Sequence, residues 1–436
     1  MESPEPPLAS PASPLPAGGR LLLLPLPLLL ALALPWSIWA SILANLLLRA
    51  SSFAASVLLS LKLATLASAG EAVDAVLVGL LAATFYLVEV TGAPVVGLLG
   101  DRFGQRGFLL AGPLVSSASV ILLGLTGLIP LFFAAVALKG VAVAASVPST
   151  LAYLSYATRI GDTLRTRALA YFEVGSLAGI GLGGFSGGLL RDLAGAWAFA
   201  LVALLDVAAL LFLLTIARQQ IPRRERSLSP WHDLGYVARL PALLRFLPTW
   251  LAVNVIIGLW VTHLPFLLAQ PKNPHQLLQG GFPDWLVGLA YAAIGVTMAL
   301  GVALWGNLLA GRPRTLGMTL GMSGLFTLGL LLLFLNRSGS EWGGLQLVVA
   351  SLAVLAGLVA TGFTPAALAH LADLAEEHRR YRGTVMGLYS VLFGLGQVSG
   401  ALLGGPAART FGADGLILLT LLFSGIALLG IRLLRR

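Results

Sequence analysis

Apolar runs of about twenty residues, parted by short polar turns, recur along nearly the whole chain. An α-helix of ~20 apolar residues crosses a bilayer core, whereas a barrel strand needs only ~10, so the run length predicts helices. Twelve spans are predicted, at 36–68, 76–99, 108–128, 129–156, 168–190, 197–217, 246–269, 285–309, 315–335, 345–371, 384–407 and 415–434. Residues 1–35 lie before them as a disordered Pro-rich tail and an apolar lead-in, Leu21–Leu34. That lead-in could be a signal-peptide core with Ala31-Leu32-Ala33 as its cleavage site. Pro25 and Pro27 suit it badly, and an interfacial approach to the first span is the better reading.

Composition agrees with the pattern. Of 436 residues 58% are apolar and 10% charged, and mean hydropathy is +0.92, whereas a soluble domain carries roughly 25% charged residues. The net charge of +9 would suggest nucleic-acid binding in a soluble protein. Here the basic residues mark topology. With the N-terminus in the cytoplasm, 20 Lys and Arg fall inside, four fall outside (Arg191, Lys272, Arg337, Arg409) and three lie within spans. Positive loops stay cytoplasmic, so this bias predicts that both termini are cytoplasmic. The chain has no cysteine, which excludes disulfides and thiolate chemistry. Its five histidines form no H-x-x-x-H pair, and no metal site is expected.

The longest polar loop, 218–245, divides the spans into an N-terminal half, 36–217, and a C-terminal half, 246–436. Trp231, Tyr236 and Leu240 among its basic residues fit either a surface-lying amphipathic helix or a plain charged linker. The halves read as copies. With Arg167 aligned to Arg382, an offset of 215, Gly179 meets Gly394 and Gly181 meets Gly396. Two parallel six-helix repeats predict a secondary transporter whose site lies between them near mid-membrane.

Two motifs add a family. Gly97, Asp101, Arg102, Gly104 and Arg106 fill G-x-x-x-D-R-x-G-x-R in the loop after the second span. This resembles the signature loop of the major facilitator superfamily. The resemblance implies that Asp101 and the arginines lock the two halves together on the cytoplasmic side in the outward-facing state. A carboxylate near a helix N-terminus gains ~0.3–1 kcal/mol, an energy suited to a reversible gate. The second-half copy, 306–314, has Ala310 in place of the Asp. In the fifth span, Gly179, Gly183, Gly184, Gly187 and Gly188 resemble the antiporter motif G-x-x-x-G-P-x-x-G-G of drug-exporting members, with Gly184 in place of its proline. The same glycines could simply let helix backbones approach. The fourth-span family motif R-x-x-Q-G is poorly matched, with Val136 at the arginine position before Lys139-Gly140.

Six charges lie inside predicted spans, all in the first half: Arg49, Lys62, Glu89, Lys139, Glu173 and Asp206. Each costs at least ~2.5–3.5 kcal/mol at the bilayer centre, so each needs a reason. Glu89 and Lys139 reach similar depths, ~18 Å from Asp101 and ~15 Å from the outer face, and could pair. Glu89, Lys139, Glu173 and Arg49 are the candidates for proton coupling or substrate contact. Asp206 fits a structural role within its own half, since the resemblance implies a peripheral sixth span. The second half offers Asn254, His263, Tyr291, Tyr389 and Gln397. Phe85, Tyr86, Phe172, Trp260, Phe266, Tyr389 and Phe393 could line a greasy cavity.

The expected function is alternating access in a bacterial inner membrane, by a monomer without cofactor. Its expected substrates are small hydrophobic compounds exported in exchange for protons. The alternative is proton-coupled uptake of a polar or anionic metabolite held by Arg49, Lys62 and Lys139. An enzyme is not expected. There is no phosphate-binding loop and no H-E-x-x-H, and the one G-x-S-x-G (184–188) lies inside a helix, not at a strand-to-helix elbow.

Overall fold

A computed structural model describes residues 34–158, 162–216, 239–309, 311–339, 341–377 and 382–434. The N-terminal tail and lead-in and most of the central loop (217–238) lie outside the described residues. Thirteen α-helices and no strand occur among those described. The first half holds α1 (Trp36–Ser68), α2 (Ala75–Phe103), α3 (Gln105–Leu125), α4 (Ile129–Ala157), α5 (Asp162–Ala194) and α6 (Ala198–Ile216). The second holds α7 (Pro241–Ala269), α8 (Asp284–Leu308), α9 (Arg314–Arg337), α10 (Gly344–Ala360), α11 (Phe363–Glu377), α12 (Arg382–Phe411) and α13 (Ala413–Leu434).

Eleven stretches of the described chain are long and apolar enough to cross a membrane. One, Arg167–Ile216, has 50 residues and contains two helices. The break between α5 and α6 is a single 3-10 turn that starts at Gly195, whose φ of 53° favours glycine. The tenth predicted span departs from expectation by splitting into α10 and α11. Pro365 explains the split: it has no N–H for the Thr361 carbonyl, and its ring crowds that carbonyl. The chain bends at Thr361 and Gly362, where the Trp305 indole packs against Gly362 and donates to the Leu358 carbonyl at 2.9 Å. Helix α7 starts five residues earlier than predicted, with Pro241 in its first turn, where a missing N–H costs nothing.

The two ends of the bundle differ. Call the end with the Gly104 and Gly311 turns the basic end. At the opposite end one hydrophobic core runs through both halves, joining Leu58, Leu63, Val78, Phe132 and Phe199 to Leu259, Phe266 and Leu416. At the basic end the cores stay within one half. Leu243, Trp250, Met318, Phe363 and Ile431 pack in the second half. Leu109, Tyr153 and Leu213 pack in the first, as do Ile38, Leu154 and Phe172. The halves therefore touch at one end and part at the other.

Glycines build the seams. On α5 they form two stripes. Methyl groups on Gly179, Gly183 and Gly187 would strike α1 at Leu46, Ala50 and Ala54, and methyl groups on Gly184 and Gly188 would strike α8 at Tyr291 and Gly288. Helix α12 repeats this arrangement. Its Gly396, Gly400 and Gly404 meet α7 at Asn254, Val255 and His263, and Gly405 meets α2 at Val76. Gly179, Gly183, Gly187 and Gly188 thus correspond to Gly396, Gly400, Gly404 and Gly405, an offset of 217. The offset of 215 expected from sequence is two residues short, because backbone approach sets the register and the aligned arginines lie outside the seam. In the same correspondence, Arg49 beside Gly179 stands where the second half has Asn254 beside Gly396.

Candidate functional site

The expected gate loop ends α2 and starts α3. Gly104 makes the turn with φ 98°, and Gly311 makes the matching turn in the second half with φ 73°. Gln105 is buried against Gly100 and accepts from the Ser149 hydroxyl at 3.1 Å, which ties the turn to α4. Arg102 and Arg106 are exposed, and nothing lies within 4 Å of a methyl group placed on Gly97. The side chain of Asp101, like residue Ala310, lies outside the described set. The loop sits at the end where the halves part.

Three of the six intramembrane charges, Lys62, Lys139 and Asp206, have fixed partners within the first half. Lys62 donates to the carbonyls of Leu123 (2.8 Å), Gly124 (2.8 Å) and Thr126 (2.6 Å) and lies over the Phe132 and Phe199 rings. It caps α3, where a cation meets the negative end of the helix dipole. Lys139 does not pair with Glu89 as the depths had suggested. Its ammonium lies 3.5 Å from Asp206 and donates to Ser51 at 3.1 Å and to Ser116. Ser51 also donates to Asp206 at 2.8 Å. Lys139 and Asp206 are 4% and 0% exposed, inside the first half. The pairing follows from helix faces. On α2 the residues Phe85, Val88 and Gly92 meet α4, while Glu89 lies about a fifth of a turn from the centre of that face.

Glu89 instead shares the central space with Arg49 and Tyr86. Leu80, Leu87 and Leu98 mark the outward face of α2, and Tyr86 and Glu89 lie on the face away from them. Tyr86 interacts with both Glu89 and Thr262 of α7, which brings the second half to the site. Tyr291 of α8 interacts with Tyr86, and its hydroxyl donates to the Val261 carbonyl at 2.9 Å. Arg49 interacts electrostatically with both Glu89 and Glu173. Glu173 is exposed and lies on the α5 stripe that continues through Gly181, Gly184 and Gly188. Where that stripe no longer meets α8, it faces the gap between the halves.

His263 and Asn254 are fully buried. The first shares a hydrogen bond of 2.9 Å with the Ala401 carbonyl, and the second donates to the Trp250 carbonyl at 2.8 Å. Of the expected cavity aromatics, Phe172 and Phe266 belong to cores, and Trp260 donates to Thr420 at 2.7 Å. The side chain of Tyr389 lies outside the described set. No group of three or more metal-ligating side chains occurs among the described residues.

Sequence reasoning missed the contacts that close the end opposite the basic one. Asp74 caps α2 by accepting from the Leu77 N–H at 2.9 Å, and its other oxygen lies 3.2 Å from Arg409 of the second half. Arg191 lies 3.8 Å from Asp284 across the α5–α8 seam. Arg337 pairs with Asp414 at 2.8 Å within the second half. Three of the four basic residues on the sparsely basic side are thus in ion pairs. The available signal was an acid at or beside the start of each partner helix.

Six helices in the first half and seven in the second, joined along glycine seams at one end and parted at the other, form a membrane-type bundle of two related halves. A model of the Major Facilitator Superfamily matches residues 38–283 and 279–436, and the chain belongs to that family. It is 25% identical over 341 residues to Multidrug resistance protein 2 of Bacillus subtilis (strain 168), covering 75% of this chain and 78% of that one. It is also 25% identical over 347 residues to the Chromaffin granule amine transporter of Homo sapiens, covering 79% and 62%. Among solved structures it resembles the nucleoside transporter NupG, with a TM-score of 0.70 and 13% identity over 92% of this chain and 98% of that one. At that identity the likeness concerns the fold alone.

Proposed function

We propose that the chain crosses a bacterial inner membrane twelve times as a monomer, with both termini in the cytoplasm, and exports small, largely hydrophobic compounds in exchange for protons. In this orientation the described form is open to the cytoplasm and sealed outside. Glu89 is the proton-binding group of the cycle, and Asp101 with Arg102 and Arg106 is the cytoplasmic gate that engages when the cleft turns outward. One observation carries the choice of export over anion uptake: of the three intramembrane cations that could hold an anion, Lys62 caps α3 and Lys139 pairs with Asp206. The central space keeps two carboxylates, Glu89 and Glu173, against one cation, Arg49. The multidrug-resistance relative supports the same direction.

The test is accumulation of a panel of lipophilic dyes in cells expressing the chain, with and without a protonophore. Lower accumulation that the protonophore abolishes is expected. Unchanged accumulation of every dye, together with proton-driven uptake of an organic anion, would overturn the reading.

A further inference from the structure

Arg49 is the one intramembrane cation among the described residues without a fixed partner. No ion pair within 4 Å joins it to Glu89 or Glu173 among the described residues, although it interacts electrostatically with both. Its Nε is buried and has no hydrogen-bond partner. The side chain is nonetheless housed. Gly179 makes room for its Cβ at the α1–α5 seam, since a methyl group there would come within 2.8 Å of it. On its other side lies a narrow recess of the first half lined by Asn45, Ser52, Ser116, Ser146 and Thr150. That recess carries amide and hydroxyl oxygens able to accept from a guanidinium, and no carboxylate. The second half faces the same space with neutral groups, Thr262 and Tyr291, and has Asn254 in the position that corresponds to Arg49.

We propose that Arg49 is a tethered counter-cation that restricts the substrate to organic molecules with a single positive charge. With no substrate bound, the guanidinium lies between the two carboxylates. A substrate cation takes that place, and Arg49 withdraws toward the recess. Two carboxylates and one retained cation leave one negative charge for the substrate to neutralise. A dication overcharges the site, an anion is repelled, and a neutral compound leaves a desolvated charge uncompensated. The hydrophobic part of the substrate lies against Tyr86 and Tyr291. This inference rests on the export reading and narrows it.

The experiment uses ethidium and propidium, which share a phenanthridinium ring system but carry one and two positive charges. Each is titrated by fluorescence against the purified full chain in lipid nanodiscs. The wild type is expected to bind ethidium at least about tenfold more tightly than propidium. Arg49→Met should erase or invert that ratio, and Arg49→Lys should keep it. Glu173→Gln, at an exposed position that tolerates change, should weaken ethidium about tenfold, and it serves as the test if Arg49→Met does not fold. Equal binding of the two dyes by the wild type, or a ratio unchanged in Arg49→Met, overturns the counter-cation role. Proton-driven dye flux in everted vesicles is read separately. Flux without charge preference overturns this inference and keeps export. Charge preference without proton-driven flux overturns export and keeps the inference.

Discussion

Lys139 and Asp206 show why an intramembrane charge is not by itself a functional site. Each would be costly alone, and together with Ser51 and Ser116 they form a closed polar knot inside the first half. Removing one partner of such a pair strands the other, at a cost of about 3–5 kcal/mol. Lys139→Met is therefore expected to lower the thermal midpoint of the detergent-solubilised protein sharply. Lys139→Met combined with Asp206→Leu should recover most of that loss. If the single variant is as stable as the wild type, the knot is not structural. Glu89 is expected to behave in the opposite way. It shares a half-buried space with Arg49 and Tyr86, so Glu89→Gln should fold normally yet lose proton-driven transport, as checked by a pH-gradient assay in vesicles. The six charges were legible as a list, because a charge in an apolar run stands out. Their pairing was not legible. Depth along a helix follows from residue counts, but the face a residue presents depends on which neighbour the helix packs against.

The two stripes of α5 separate stability from cycling. Gly183 meets α1, a partner in its own half, whereas Gly184 meets Tyr291 across the seam between halves. Gly183→Val should push α1 and α5 apart and destabilise the first half, by about 1–3 kcal/mol if the core relaxes as overpacked cores do. Gly184→Val acts on a contact that exists only while this end is closed. It is expected to leave folding stability within about 1 kcal/mol of wild type and to favour the form open at this end. A single cysteine near Asp284, introduced into a chain that has none, would report this as faster labelling by a membrane-impermeant maleimide. Equal effects of the two substitutions on stability would remove the distinction between the stripes. The glycine run itself was plain in the sequence, and the five glycines singled out there all lie at helix seams. The allocation of alternate glycines to two partner helices was not, since it requires knowing that α5 lies between α1 and α8. The break between α10 and α11 was missed for a simpler reason: Pro365 and Gly362 were read as part of one apolar run.

At the scale of the molecule, the two halves are joined at one end by a continuous core, two glycine seams and two ion pairs, and at the other end they part. The ion pairs are partly exposed, and each contributes only about 0–1 kcal/mol. The burial in the seams and core holds the closed end, and the pairs tune the balance. This asymmetry was out of reach of sequence reasoning, because which end closes depends on how the halves pack, and in the proposed cycle the same residues also form the opposite state, open at this end and closed at the other. The balance can be read with a cross-link at a close approach of the halves on the α5–α8 seam. A methyl group placed on Gly295 would lie 3.1 Å from the Gly181 Cα. Gly181→Cys with Gly295→Cys therefore places two Cβ atoms within disulfide range only when this end is shut. Oxidation is expected to form the disulfide, stop transport and leave the protein folded, and reduction should restore transport. The rate of cross-linking then measures how often the end is closed. Adding Arg191→Gln and Arg409→Gln should slow it. Adding Asp101→Asn should speed it by up to about fivefold, because losing ~1 kcal/mol from the gate at the basic end raises the population closed at this one. A disulfide that forms freely while transport continues would mean that the α5–α8 seam never opens during the cycle. A rate unmoved by Asp101→Asn would remove that carboxylate from the gate.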